Sequence, residues 1–232
     1  MLKDIRAQLR KNADPAIAES SKRFFKEEIK TYGFKSADVS KIARAYFPQI
    51  DKMKKSEVFE LCDDLVKSDY MEEFSIACEF CYRRHRDFEK SDFKIFEKWV
   101  AAYVNNWAKC DTFCNHSVNA LVEKFPELVS DIKKWSKSKN RWVRRASAVI
   151  FILSARRGRF VDDVFEIAEK LLTDPDDMVQ KGYGWALKAA GEFAPKRVYD
   201  FVTARVATMP RTAYRYAIEK LPADMRKKAM AL

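Results

Sequence analysis

Apolar residues recur at three- and four-residue spacing almost everywhere along this chain, and strict alternation is rare. That period belongs to amphipathic helices, and it leaves little room for half-buried strands. The 232 residues include only 5 glycines and 7 prolines, so the tight turns that hairpins need are scarce. Twelve to fourteen helices with short connections are expected, in one all-α domain over residues 1–232, because no linker is long enough to separate two.

Helix starts are marked by capping residues. Asp14 precedes Pro15 and reads as an N-cap followed by a first-turn proline, with Gly33 closing that helix. Ser36, Ser56, Ser91, Asn140 and Asp174 are further cap candidates, and Pro126, Pro195 and Pro210 sit at expected first turns. No run of eighteen apolar residues is present, and the first residues are polar and amphipathic without an apolar signal region. A cytoplasmic protein is therefore expected, with no membrane partner.

An internal repeat is visible at an offset of 36. Laying 140–149 over 176–185 puts Val143 on Val179, Arg145 on Lys181, Ala146 on Gly182 and Ala148 on Gly184. A cap, then valine, a basic residue and a small residue is the second-helix pattern of HEAT-type helix pairs. Such antiparallel pairs bury their apolar faces by stacking, which predicts a curved α-solenoid with the second helices lining a concave groove. Arg145 and Lys181 are then expected to point into that groove.

The charge is uneven. The chain carries 45 Lys and Arg against 34 Asp and Glu, for a net charge of +11. Residues 132–161 hold ten basic residues and no acidic one; without them, 35 basic residues face 34 acidic. A focused basic segment is what a polyanion surface needs, because each cation placed on a phosphate releases condensed counterions. Another acidic partner or a membrane surface is a second reading, and a solvated charged helix pair a third.

Cys62, Cys78, Cys81, Cys110 and Cys114 are odd in number and fall on helical segments, so buried thiols in a reducing compartment are expected rather than zinc ligands. The acidic pairs Asp63-Asp64, Glu72-Glu73 and Asp162-Asp163 read as solvated faces, not metal sites. His85 and His116 are the only histidines, and neither sits in a motif beside a nucleophile, which counts against triad hydrolysis. No metal or cofactor is expected.

Four motifs follow one another: Asn106-Trp107-Ala108-Lys109-Cys110-Asp111, Lys124-Phe125-Pro126-Glu127-Leu128, Asn140 through Ala146 (NRWVRRA), and Val179 through Trp185 (VQKGYGW). In this order the chain resembles the AlkD-like DNA alkylation repair glycosylases, a HEAT-repeat family, over most of its length and best in 105–190. The resemblance implies hydrolytic excision of cationic N3- and N7-alkylpurines from duplex DNA, without flipping the base into a pocket. It implies Asp111 as the catalytic carboxylate, Trp107 and Trp185 as its flanking aromatics, and Arg145 as the DNA-positioning arginine, with Arg144 the second choice. Lys181, Arg141 and Lys139 would join these on the backbone. Phe24 stands where the family pattern has tyrosine, so the hydroxyl of that contact is missing. One subunit would suffice to hold the duplex, and the protein is expected to be a nucleoid-associated monomer.

The chemistry is coherent on its own terms. An N-alkylated purine is already cationic and leaves without a general acid, while the sugar that remains needs a carboxylate to meet its growing charge and orient water. Trp107 and Asp111 are four apart, so one helical turn puts indole and carboxylate on the same face. Indole faces attract cations by roughly 0.5–2 kcal/mol each. Taken singly, Asp111 reads as a helix N-cap, the tryptophans as core and Arg145 as a surface charge. Trp99, Trp135 and Trp142 read as packing. Two other functions share the fold: a catalytically silent binder of branched or distorted DNA, and a protein-interaction scaffold.

Overall fold

A computed structural model describes all of Met1–Leu232, and its regular elements are all helices, with no strand. Its contacts group into two compact units, Met1–Ser117 and Val118–Leu232. Each unit is built from successive helices joined by short turns.

The first unit contains α1 (Leu2–Lys11), α2 (Pro15–Lys22), α3 (Ser36–Ile50), α4 (Lys55–Val66), α5 (Met71–Arg83), α6 (Phe93–Tyr103) and α7 (Trp107–Phe113). Helix α5 is its centre, packing on α3, α4 and α7. Phe59, Phe96, Trp99 and Phe113 form a buried aromatic cluster beneath these helices, with ring centroids 5.2–6.0 Å apart.

The Asp14 cap forms as expected, its carboxylate accepting from Ala16 N and Ile17 N ahead of Pro15. Gly33 does not close that helix, which ends at Lys22. Instead Gly33 adopts φ +90°, where an added Cβ would lie 2.0 Å from the Asp14 carbonyl oxygen, so glycine is required there. Glu72 explains the loop. Its buried carboxylate accepts from Thr31 Oγ1 (2.6 Å), Tyr32 N (3.0 Å), Gly33 N (2.9 Å) and Phe34 N (3.2 Å). Glu73 is also buried, accepting from Arg6 and the Tyr32 hydroxyl, which lies beside it with its pKa pushed up to about 12 by burial and by that carboxylate. The solvated face expected for this pair is therefore corrected: Glu72 replaces backbone partners that the irregular segment 31–34 lacks, and Glu73 is held by a guanidinium and a hydroxyl.

The second unit contains α8 (Asn119–Lys124), α9 (Val129–Trp135), α10 (Arg141–Val149), α11 (Ile152–Ala155), α12 (Val161–Lys170), α13 (Asp177–Phe193), α14 (Pro195–Thr203), α15 (Arg211–Ile218) and α16 (Ala223–Met230). The pairs α9 with α10, α12 with α13 and α14 with α15 are in contact, and their second members stack in the order α10, α13, α15. The 36-residue repeat is real in three dimensions. Asn140 caps α10 by accepting from Trp142 N, and Asp176, at the same repeat position, caps α13 by accepting from Met178 N and Val179 N. Asp174, the cap expected from sequence, lies two residues early and accepts from Asp176 N instead.

The small residues of the repeat face opposite ways. A Cβ on Gly182 would meet Arg145 Cγ of α10 at 3.1 Å, and one on Gly184 would meet Ala213 O of α15 at 2.8 Å. Two residues on a helix are separated by about 200° of rotation, so this spacing lets α13 take a neighbour closely on both sides.

Candidate functional site

Helix α7 carries the first half of the motif. Asn106 caps it, its side-chain oxygen accepting from Lys109 N at 3.0 Å. Trp107 is thus its first residue and Asp111 its fifth, both half-buried. An N-cap role for Asp111 is excluded, since the cap lies five residues earlier. The indole of Trp107 stacks on Phe25, with centroids 5.3 Å apart and planes 15° from parallel, and its Nε1 donates to the Phe24 carbonyl at 3.3 Å. The sequence singled out Phe24 but missed Phe25, whose signal was only its adjacency. Phe24 itself is 74% exposed. With Phe25, Phe34, Met71 and Trp107 it borders a cleft of about 370 Å³, reached also by Glu79.

A buried cation sits on the other side of α7. Lys109 donates to both Asp69 Oδ1 (2.6 Å) and the Asp69 carbonyl (3.0 Å), and its ammonium lies over the Phe74 ring. Desolvation lowers its pKa, against the pull of Asp69.

Immediately after α7 the chain forms a π-helical turn, Cys114–Val118. Single π turns interrupt helices chiefly at functional positions, because the extra residue re-aims the side chains that follow. All five cysteines are free and buried, and burial pushes the Cys62, Cys78 and Cys114 thiols well up, so these three are not poised as nucleophiles. Nowhere do three or more His, Cys, Asp or Glu side chains gather in a metal-holding group.

The remaining motif residues belong to the second unit. Trp185 is half-buried on α13, one turn beyond Lys181, so an indole and an ammonium share a face there as an indole and a carboxylate do on α7. Lys181 pairs with Asp177 at 3.2 Å. Arg145 is only 5% exposed, and its Nη1 donates to the Met178 carbonyl at 2.5 Å while its stem lies along Gly182. The groove-facing guanidinium expected from the repeat is thus corrected: Arg145 ties α10 to the first turn of α13. Arg144 does likewise, donating to both Asp174 oxygens and to the carbonyls of Ser138 and Lys139. Arg141 stands 3.2 Å from Asp176 and over the Trp142 ring. Trp99, Trp135 and Trp142 are all buried.

The basic segment is far less bare in space than along the chain. Seven of its ten cations meet carboxylates from flanking sequence: Lys133 with Asp163 and Glu166, Lys134 with Asp131, Arg141 with Asp176, Arg144 with Asp174, Arg156 with Glu192, and both Arg157 and Arg159 with Glu123. Lys137 and Lys139 remain exposed without an ion pair. Exposed pairs are weak, about 0–1 kcal/mol, so Arg156, Arg157 and Arg159 can still exchange a carboxylate for a phosphate.

The family model for DNA alkylation repair enzymes matches residues 5–221, nearly the whole chain. The chain belongs to the DNA alkylation repair enzyme family. Its fold is shared with a solved structure described as a predicted DNA alkylation repair enzyme from Enterococcus faecalis: the TM-score is 0.81 at 15% identity, over 91% of this chain and 97% of that one. No curated protein matches the sequence. Within this family member, the π turn and the Phe25–Trp107 stack are the local features that flank the Asp111 helix.

Proposed function

We propose that this repair-family member is a monofunctional DNA glycosylase that removes cationic N3- and N7-alkylated purines by hydrolysis of the N-glycosidic bond. The observation that carries the reading is the placement of Trp107 and Asp111 one turn apart on α7, with Asn106 taking the capping role that Asp111 would otherwise fill. In the reaction the C1′–N bond breaks with its electron pair going to the base, which becomes neutral. Asp111 faces the cationic sugar that remains and orients water, whose oxygen bonds to C1′ while its proton passes to the carboxylate and then to solvent. Trp107, held flat by Phe25, offers its ring to the cationic nucleotide. Neutral DNA gains nothing from this ring, and its bases leave poorly.

The backbone contacts are assigned to Lys139, Lys181, Arg141 and the exchangeable arginines, with Arg144 and Arg145 setting the position of α13 from beneath. The base stays in the duplex stack throughout. Release of 7-methylguanine from methylated DNA tests the proposal, comparing wild type with Asp111→Asn. The expected result is a rate about 10²–10³-fold lower in the variant, the size of a lost preorganised electrostatic contact. Equal release by both proteins removes Asp111 from the mechanism. DNA binding by a wild type that releases no base makes the chain a silent DNA binder.

A further inference from the structure

Both histidines of this chain bracket one exposed tyrosine. Tyr82, at the end of α5, is 41% exposed. The His85 ring stacks on it at 4.8 Å with planes 15° apart, and the His116 ring meets it edge-on at 5.5 Å. His85 lies in the turn that follows α5, its Nδ1 2.9 Å from the Tyr82 carbonyl oxygen. His116 is delivered by the π turn that follows Asp111. Two residues that occur nowhere else in the sequence therefore converge on one ring from different elements.

Tyr82 and His85 line a cleft of about 650 Å³ bordered also by Arg44, Phe47, Glu79, Arg83 and Arg86, and His116 adjoins it through the Tyr82 ring. Its carboxylates are already engaged. Asp51 holds Arg83 through two bonds of 2.8 and 2.6 Å, Asp87 holds Arg84 at 2.7 Å, and Glu79 accepts from Ser40 Oγ at 2.6 Å. Arg84 spends its other donors on the carbonyls of Ile50 and Met53. Arg44 is exposed on α3 and makes no ion pair. An anion entering the cleft thus meets two ion-paired carboxylates, a Glu79 bound to a hydroxyl, an unengaged guanidinium and the His85 imidazole beside the Tyr82 ring, which His116 backs from the other element.

We propose that Tyr82, His85, His116 and Arg44 form a DNA-backbone contact that tightens as the histidines protonate. This rests on DNA being the partner of the chain, and it adds a contact region to those assigned above. A phosphate fits the cations, and the tyrosine suits the neighbouring sugar or base. The charged groups lining the cleft with His85 are Glu79 and Arg83 on α5, Arg84, Arg86 and Asp87 in the following turn, Arg44 on α3 and Asp51 at its end; Glu79 also acts on His116. Desolvation holds the His116 imidazole below its ordinary value against the pull of Glu79. A phosphate favours the protonated ring, so affinity rises as pH falls.

Fluorescence anisotropy with a short labelled duplex tests this, at about pH 6 and about pH 8, on either side of the ordinary histidine range. Wild type is expected to bind about threefold or more tightly at the lower pH. The double variant His85→Gln/His116→Gln should lose that ratio. Arg44→Ala should weaken binding and make the slope of log K against log salt shallower by about one, the signature of one lost phosphate contact. All of these are exposed or half-exposed positions, and thermal melting of each variant confirms folding. A double variant that keeps the wild-type pH ratio overturns the proposal, as does an unchanged salt slope in Arg44→Ala. A wild type with no DNA affinity overturns the DNA reading itself, and base release by Asp111 variants reports on catalysis separately.

Discussion

Lys109 Nζ lies 2.6 Å from Asp69 Oδ1, in a pair whose lysine is 2% exposed. The lysine belongs to the same helix as Trp107 and Asp111, and Asp69 holds it from a turn with φ +68°, a conformation that a non-glycine residue keeps only when its surroundings enforce it. Asn105 donates to the same carboxylate oxygen at 2.7 Å. The start of α7 is therefore locked by a polar network on its inner side while its outer side carries the indole and carboxylate.

Asp69→Asn should cost more than Lys109→Met. The first leaves a buried ammonium without its counter-charge, a loss of about 3–5 kcal/mol, whereas the second removes the ammonium and leaves a partly exposed carboxylate that water can reach. Urea unfolding of the two variants measures the difference, and a larger loss for Lys109→Met would contradict it.

The same pair gives a pH dependence. Burial pushes the Asp69 carboxyl up, but the bond and charge of Lys109, with Asn105 and Lys30, outweigh it and hold the pKa below its ordinary value. A carboxylate whose folded pKa is depressed contributes stability above its unfolded pKa, near 3.9, and that stability is lost as pH falls through the folded value. Stability should drop below about pH 4, and Asp69→Asn should flatten part of that drop in unfolding curves taken across the acid range.

Gly184→Ala and Gly182→Ala should separate cleanly. At Gly184 the new methyl meets backbone, Ala213 O at 2.8 Å, so α13 and α15 must part, at about 1–3 kcal/mol. At Gly182 it meets the flexible Arg145 stem at 3.1 Å, and the roughly 1 kcal/mol helix preference for alanine offsets the shift. Thermal melting should show a clear loss for the first and a change within about 1 kcal/mol for the second.

Arg144→Ala should destabilise the second unit by about 2–4 kcal/mol, because Asp174 is left nearly buried without its fork of two bonds. Its DNA affinity, measured well below the melting point, should fall less than that of Lys139→Ala. The opposite order would make Arg144 a direct phosphate contact.

Glu72→Gln should lower stability by about 2–3 kcal/mol, since an amide turns one of two accepting oxygens into a donor facing backbone N–H groups of residues 32–34. Because that loop lines the cleft beside Trp107, proteolysis between residues 23 and 35 should accelerate in the variant.

The N-caps of α3, α4 and α13 are not the Ser36, Ser56 and Asp174 that composition favoured. The helical class, the caps at Asp14 and Asn140 and the 36-residue repeat were nevertheless legible in the chain alone, because periodicity and capping act over one or two turns, within reach of local pattern. Asn140 and Asp176 show it: two caps at equivalent positions, each accepting from the helix it begins. Where charge goes depended on packing. Glu72 and Glu73 read as solvent-facing but are buried, Arg145 reads as free but is bound to a carbonyl, and seven cations of the basic segment find acids outside it. A side chain's charge interacts across whatever helix packs beside it, at distances that no linear spacing encodes. The same holds for Phe25 against Trp107 and for two histidines closing on Tyr82.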